Sequence, residues 1–258
     1  MRSSIVFRRG EEAPATARSP VVLALDTDDL DQALDWAERA GQEVGMVKVG
    51  LELFCAHGGH AVRALADEGH RVMLDLKLHD IPATVARAVR AAADLEVELL
   101  TVHALGGPRM LEAAVAAAGD GPTVAAVTVL TSHGAADLRA VGLAGGAASA
   151  SEQLARLALA AGCTALVCSP REAARLRAAA GPEVAIVCPG IRPAGPGSLP
   201  AGSVAGDDQA RVATPAAALG AGADWLVVGR PITGAADPAA AAAAVRAEAL
   251  AARAATDR

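Results

Sequence analysis

The sequence has very few aromatic side chains. Its 258 residues include two tryptophans, two phenylalanines and no tyrosine, although 53% of the residues are hydrophobic. Proteins that bind single-stranded nucleic acid stack successive bases on aromatic rings, and the formal net charge of −6 gives no general attraction for polyanions. The composition therefore argues against nucleic acid as a partner. A local cluster of basic groups could still bind a small anion.

Cysteine is scarce as well. The four cysteines, Cys55, Cys163, Cys168 and Cys188, form neither a Cys-x-x-Cys pair nor a His–Cys group with the spacing of zinc ligands. This pattern predicts small buried thiols in a reducing compartment, with no disulfide and no metal site.

The sequence also lacks the features of a targeting segment and of a membrane-spanning segment. Residues 1–20 contain arginines together with Glu11 and Glu12, but not the apolar segment of a signal peptide, and they are expected to form a loose extension. Asp237 and Arg246 interrupt the alanine-rich C-terminal stretch, so no run reaches the roughly 18 uncharged residues of a membrane span. We expect a cytoplasmic protein without a membrane partner.

Short aliphatic runs recur along the chain, each followed by an alanine-rich segment of helical length. Runs of this kind are typical of parallel strands that are buried on both faces. The eight runs are VVLALD (21–26), GMVKVG (45–50), RVMLDLK (71–77), ELLTVH (98–103), TVAAVTVL (123–130), TALVCS (164–169), VAIVCPG (184–190) and DWLVVG (224–229).

Helix-start signals lie between these runs. A capping residue precedes a proline or a capping acid at Ser169-Pro170 with Glu172, Ser149 with Glu152, Thr214-Pro215 and Asp237-Pro238. Eight strand–helix units in about 235 residues predict an α/β protein with a single-domain (β/α)8 TIM barrel at 21–254; a doubly wound open sheet is the alternative. The Gly-rich stretches 142–148 and 193–206 are predicted to be loops after the fifth and seventh strands.

Charged residues stand where predicted strands end. Asp75 and Lys77 are two residues apart on one strand, so their side chains share a face, and Lys48 ends the preceding strand. Asp80 follows closely. These groups could form a structural ion-pair network, but gathering so many charges in a partly desolvated barrel mouth is costly and favours a functional site.

The last predicted strand runs into Gly229-Arg230. In TIM barrels the loops after strands seven and eight often bind a phosphate group, through backbone N–H groups that a glycine leaves accessible and a nearby basic side chain. This position favours a phosphate-binding role for the pair. His103, which ends the fourth run, is either a support of the site or a structural residue.

Several motifs in one order resemble those of a known family. They are ALD (24–26), VKVG (47–50), DLKLHDIPATV (75–85), VHALGG (102–107), LTS (130–132), CPGIRP (188–193), DQARVATP (208–215) and VVGRPIT (227–233). Together they resemble orotidine 5′-phosphate decarboxylases of the common bacterial type. The resemblance implies a (β/α)8 barrel that converts orotidine 5′-phosphate to uridine 5′-phosphate, the last step of UMP synthesis in pyrimidine biosynthesis, without a metal or an organic cofactor.

The resemblance also implies residue roles. Lys77 matches the family's proton donor, and Lys48, Asp75 and Lys77 match three members of its charged array. Asp80 matches the fourth, which the other subunit of a homodimer contributes together with contacts that match Ile81 and Thr84. The remaining matches are Asp26 and Lys48 at the ribose hydroxyls, Thr131 in the binding site, Ser132 at the pyrimidine edge, and Arg192, Gln209, Gly229 and Arg230 on the phosphate side. The segment between Arg192 and Gln209 is longer than the family pattern.

Other functions remain open at the level of sequence. Related barrels with Asp-x-Lys-x-x-Asp are Mg²⁺-dependent sugar-phosphate decarboxylases or aldolases, although the LTS and Ile81-Pro82 motifs argue against them. A Schiff-base aldolase would need an uncharged lysine, whereas flanking carboxylates favour the ammonium form. A non-catalytic nucleotide-binding barrel is the third alternative.

Overall fold

A computed structural model of the chain describes residues 19–143, 145–193 and 212–256. Eight parallel strands close into a barrel in sequence order, so the predicted TIM barrel is confirmed and the open sheet is wrong. The strands are β1 (Val21–Leu25), β2 (Met46–Val49), β3 (Val72–Leu78), β4 (Leu99–His103), β5 (Thr123–Val127), β6 (Ala165–Val167), β7 (Ala185–Cys188) and β8 (Trp225–Val228).

Helices alternate with these strands and cover the outside of the barrel. They are α1 (Leu30–Ala40), α2 (Leu51–His57), α3 (Gly59–Asp67), α4 (Pro82–Ala93), α5 (Pro108–Ala118), α6 (Ala135–Ala140), α7 (Gly146–Ala160), α8 (Pro170–Ala180), α9 (Pro215–Gly220), α10 (Arg230–Thr233) and α11 (Pro238–Thr256). Short 3₁₀ turns follow α1 and β4. No helix among the described residues is both long and apolar enough to cross a membrane.

Three of the predicted helix starts are confirmed by side-chain caps. Ser169, Thr214 and Asp237 each accept a hydrogen bond from a backbone N–H in the first turn of α8, α9 and α11, respectively. Such a cap satisfies one of the N–H groups that a helix start leaves without a partner.

The predicted start at Ser149 is wrong. Helix α7 begins three residues earlier, at Gly146, and Gly145 caps it in a left-handed conformation with φ of 88°. The last residues of the predicted 142–148 loop are therefore helical, because alanines and a permissive glycine extend the helix without a capping side chain. The predicted 193–206 loop lies outside the described residues beyond Pro193.

The barrel separates two apolar clusters. An inner cluster of mainly alanine, valine and methionine fills the barrel, and a larger outer cluster packs the strands against the helices. Along four strands a polar residue stands two positions after a member of the inner cluster, so it points into the barrel just above that cluster. These pairs are Ala24 and Asp26, Met46 and Lys48, Met73 and Asp75, and Leu99 and Thr101.

Cys163, Cys168 and Cys188 are buried as predicted, but Cys55 is exposed and the prediction is wrong there. Cys55 follows the buried Leu53 by two positions on α2, and residues at that spacing do not share a helix face. The predicted extension 1–20 lies outside the described residues except for Ser19 and Pro20, which are buried next to β1.

The end of the barrel where the strands begin is called the floor here, and the end where they finish is called the mouth. At the floor, Arg71 forms an ion pair with Glu98, and its guanidinium lies 5.5 Å from the ring centre of Trp225. Arg177 of α8 pairs with Asp224 and donates to the carbonyl oxygens of Gly181, Val184 and Gly222. These contacts tie helix α8 to the starts of β7 and β8.

Candidate active site

A cavity of about 390 Å³ opens at the mouth of the barrel. Eight of the residues predicted from the sequence line it: Asp26, Lys48, Asp75, Lys77, Thr131, Arg192, Gly229 and Arg230. They come from six different strand ends, and the parallel topology brings these ends together at one edge.

Four of these side chains form a row of alternating charge. The Lys48 ammonium lies 2.9 Å from Oδ1 of Asp26 and 3.6 Å from Oδ2 of Asp75. The Lys77 ammonium lies 2.9 Å from both carboxylate oxygens of Asp75. Only 10% of the Lys48 side chain is exposed, against 32% of the Lys77 side chain, so Lys77 is the ammonium more open to a bound molecule.

Opposite charges within this row keep its two buried members, Asp75 and Lys48, in their charged forms. Burial would raise the pKa of Asp75, but the ammonium groups of Lys48 and Lys77 and hydrogen bonds from Lys77 and Thr101 outweigh it, so the pKa is lowered. Burial would lower the pKa of Lys48, but Asp75 and Asp26 outweigh it and the pKa is raised. Asp75 and Lys48 are therefore both charged near neutral pH.

Strand β3 is irregular where it carries Asp75 and Lys77. Its pairing with β4 shifts between Leu74 and Leu78, so four residues of β3 advance alongside two of β4. Lys77 has a left-handed φ of 48°, which costs an L-residue about 1–2 kcal/mol. Backbone strain of this kind persists only where the surroundings fix it, and it is concentrated at functional sites.

Thr101 of β4 contacts both charged residues of the irregular segment. Its Oγ1 accepts a hydrogen bond from the backbone N–H of Lys77 and donates one to Oδ1 of Asp75, each at 2.9 Å. The sequence interpretation did not select Thr101. A signal was available, because Thr101 is a polar residue at an inward position in the otherwise apolar start of the ELLTVH run.

Gly50 is a second position that the sequence interpretation did not select as a site residue. A Cβ atom there would lie 2.8 Å from the Lys48 ammonium nitrogen and 3.3 Å from Oδ1 of Asp26. Both distances are shorter than an ordinary contact, so a side chain at position 50 would force the Lys48 ammonium to shift from its place beside Asp26. The signal is the spacing of VKVG, which places the glycine two residues after the lysine.

The phosphate-side candidates lie across the cavity from β3. Gly229 precedes α10, and Arg230 is the first residue of that helix. Arg192 follows β7, where its backbone N–H donates to the carbonyl oxygen of Ala213. Gln209 lies outside the described residues.

Four predicted residues do not line this cavity: Asp80, Ile81, Thr84 and Ser132. Asp80 and Ile81 are exposed between β3 and α4, with Ile81 66% exposed, and Thr84 lies in the first turn of α4. Ser132 is exposed in the turn after β5. Within the described part of the chain, no group of three or more His, Cys, Asp or Glu side chains is arranged to hold a metal ion.

His103 ends β4 beside the charged row. Its ring stacks on that of His79, with 5.6 Å between ring centres, and its Nδ1 accepts a hydrogen bond from the backbone N–H of Leu105. Burial lowers the pKa of His103 to about 4, and Coulombic interactions with His79, Lys77 and His133 act in the same direction. His103 is therefore neutral near pH 7.

Known proteins resemble this chain over most of its length. The model of the orotidine 5′-phosphate decarboxylase / HUMPS family matches residues 19–245. Orotidine 5′-phosphate decarboxylase of Anaeromyxobacter sp. (strain K) is 56% identical over 88% of this chain and 96% of its own length. The protein of that name from Thermobifida fusca (strain YX) is 53% identical over 89% of this chain and 95% of its own. The crystal structure of orotidine 5′-phosphate decarboxylase from Lactobacillus acidophilus superposes with a TM-score of 0.76 at 36% identity, covering 90% of this chain and 99% of that one.

Proposed function

Since the chain belongs to the orotidine 5′-phosphate decarboxylase / HUMPS family, we infer that it is a carboxy-lyase that converts orotidine 5′-phosphate to uridine 5′-phosphate and carbon dioxide. We assign the chemistry to the charged row at the mouth. The observation that carries this assignment is the Lys77 ammonium, which is held 2.9 Å from both oxygens of Asp75 at the edge of an open cavity.

The reaction breaks the bond between C6 of the pyrimidine and its carboxylate carbon. The electron pair stays on C6, carbon dioxide leaves, and a proton must then be added at C6. An ammonium group fixed beside C6 stabilises the developing carbanion by charge and supplies that proton. We assign both roles to Lys77, because its ammonium is the more exposed of the two in the row.

Asp75 orients this ammonium and balances its charge. Its carboxylate accepts hydrogen bonds from Lys77 and Thr101 and lies 3.6 Å from the Lys48 ammonium, so the Lys77 side chain is fixed before substrate binds. Preorganised charges of this kind lower a barrier without reorganisation during the reaction. In this proposal Asp26 and Lys48 bind the ribose hydroxyls and Thr131 contacts the nucleotide. We assign Ser132 to the pyrimidine edge from its LTS motif alone, since it is exposed next to Thr131 and does not line the cavity.

The phosphate group binds on the opposite side of the cavity in this proposal. Arg192, Gly229 and Arg230 line that side, and we assign Gln209 to the same group on the basis of its DQARVATP motif. Binding energy gained at the phosphate, away from the reacting carbon, is available to order the charged row around the pyrimidine.

We further propose a homodimer in which each subunit completes its partner's site. Asp80, Ile81 and Thr84 do not line the cavity of their own subunit, and Ile81 is exposed despite its apolar side chain. Mixing inactive Lys77→Ala and Asp80→Ala proteins should restore activity, because one of the two sites in a heterodimer has neither substitution. An inactive mixture after demonstrated subunit exchange would exclude the shared site.

A spectrophotometric assay with orotidine 5′-phosphate tests the function. We expect turnover that is equal with and without a metal chelator, and unaffected by borohydride in the presence of substrate. Loss of activity in the chelator would instead indicate the Mg²⁺-dependent alternative, and irreversible inactivation by borohydride would indicate a Schiff base on lysine. Binding of the product nucleotide without turnover would indicate the non-catalytic barrel.

We place this reaction in the cytoplasm. All four cysteines are free, three of them buried, and thiols persist in a reducing compartment.

A further inference from the structure

The segment of β3 from Asp75 to Lys77 is not paired with β4 in a regular ladder. Ladder pairing between β3 and β4 stops at Leu74 and resumes at Leu78, and Lys77 adopts a left-handed conformation between them. In this gap the backbone N–H of Lys77 donates to the Oγ1 atom of Thr101. A side-chain hydroxyl thus takes the place of a ladder acceptor at this position.

The same hydroxyl also determines where the Asp75 carboxylate lies. A threonine hydroxyl can accept and donate at the same time. Its oxygen accepts from the Lys77 N–H, and its single hydrogen is donated to Oδ1 of Asp75 at 2.9 Å, because a carboxylate oxygen can only accept. Thr101 is fully buried, and β-branched side chains are stiff about χ1. Both partners are therefore held relative to a single, rigid atom.

We propose that Thr101 is a positioning residue for the decarboxylation, because its hydroxyl fixes the Lys77 backbone and the Asp75 carboxylate in one arrangement. The proposal rests on the function assigned above. Thr101 acts through Asp75 and Lys77 rather than on the substrate. Without the hydroxyl, the Lys77 N–H and one Asp75 oxygen each lose a partner, and the ammonium is no longer held in a single orientation.

The test replaces Thr101 with valine, which has the same shape but no hydroxyl. We expect kcat to fall about 10- to 100-fold, as for the loss of a hydrogen bond to a charged group, while KM changes less than about threefold. KM should change little because Thr101 does not line the cavity, and the residues assigned to the ribose and the phosphate group are unchanged in this variant. Thr101→Ser keeps the hydroxyl and should retain kcat within about threefold of the wild type.

Thr128→Val is the matched control. Thr128 is also fully buried, and its Oγ1 donates to the carbonyl oxygen of Val167, but it does not line the cavity. We expect this variant to lose stability with kcat within about twofold of the wild type. If Thr101→Val does not fold, Thr101→Ala removes the hydroxyl without a replacement methyl group and carries the test.

Two outcomes would overturn the proposal. One is a folded Thr101→Val enzyme with the kcat of the wild type. The other is a loss of kcat that Thr101→Ser does not restore or that Thr128→Val shares, because either result indicates a purely structural role. A wild-type protein that does not act on orotidine 5′-phosphate would contradict the assigned function itself, which distinguishes the two failures.

Discussion

The ion pairs described above at the mouth and at the floor of the barrel have different cations. At the floor, Arg71 and Arg177 bind carboxylates and backbone carbonyl oxygens through several N–H groups at once. At the mouth, Lys48 and Lys77 bind carboxylates at the edge of a cavity. A guanidinium is a planar, permanently charged group suited to fixed contacts, whereas an ammonium is compact and can release a proton. The difference indicates a floor built for stability and a mouth built for chemistry.

The largest effect that this comparison predicts is the loss of turnover at the mouth. Lys77→Ala should reduce kcat by about 10⁴-fold or more, because the variant lacks both the charge beside C6 and the proton donor. Steady-state assays with orotidine 5′-phosphate measure the loss, and circular dichroism and thermal unfolding check that the fold persists. A folded variant that keeps more than a few per cent of wild-type activity would exclude Lys77 as the proton donor.

A smaller effect is expected across the cavity, at the phosphate side. Arg230→Ala should lower kcat/KM for orotidine 5′-phosphate by about 10²- to 10³-fold, as expected for lost charge-assisted hydrogen bonds. With a substrate that lacks the phosphate group, the loss should be small, because that substrate offers no phosphate oxygen for the arginine to bind. Equal losses with both substrates would show that Arg230 acts elsewhere than on the phosphate.

At the floor the comparison predicts a change in stability with activity retained. Arg177→Met removes one of the two donors to the Asp224 carboxylate, the other being the Ile186 N–H, and a donor to three carbonyl oxygens. It should lower the free energy of unfolding by about 2–4 kcal/mol. Thermal unfolding measures this change, and kcat at 25 °C should stay within about twofold of the wild type.

The control for Arg177 lies on the same helix. Arg175 pairs with Glu152, but 58% of its side chain is exposed, and a surface pair of this kind contributes less than about 1 kcal/mol. Arg175→Met should therefore unfold close to the wild-type temperature. If Arg177→Met and Arg175→Met unfold at the same temperature, the contacts of Arg177 at the floor do not stabilise the barrel.

The smallest effect concerns pH. The folded state lowers the pKa of His103 to about 4, so between that value and the ordinary 6.5 the unfolded chain binds a proton that the folded chain does not. Stability therefore falls as the pH decreases through this window, by roughly 1 to 2 kcal/mol after solvent screening. Denaturant unfolding between pH 7 and pH 4 measures the free energy of unfolding. It should fall less steeply with decreasing pH in the His103→Asn variant than in the wild type.

The sequence predicted the barrel well because its signals are local and repeated. Each buried strand is an aliphatic run in the sequence, and a capping residue followed by proline precedes several helices. The charged row was predictable too, since Asp75 and Lys77 stand two positions apart on one strand. At Ser149 a local capping pattern was misleading, because glycine and alanine extended the helix beyond it.

What the sequence could not indicate is the local geometry. The irregular pairing of β3, the left-handed Lys77 and the double contact of Thr101 depend on a local break in strand pairing. The hydrophobic pattern sets the register of regular strands, but it does not show where such a break falls. Likewise, the VKVG spacing marks Gly50 in the sequence, but only the structure shows that its missing side chain leaves space beside the Lys48 ammonium.

The seam of the barrel has a consequence for how the chain is made. Val21 of β1 pairs with Leu226 of β8, and Glu43 near the start pairs with Arg246 of α11, 203 residues later. During synthesis, one edge of β1 therefore stays unpaired until β8, about 200 residues later, has left the ribosome. Pairing residues so far apart in sequence has a high entropic cost of loop closure. Until the pairing forms, the open hydrophobic edge is a site for aggregation. We expect closure of this seam to be the late, slow step of folding, and the step that most needs a chaperone.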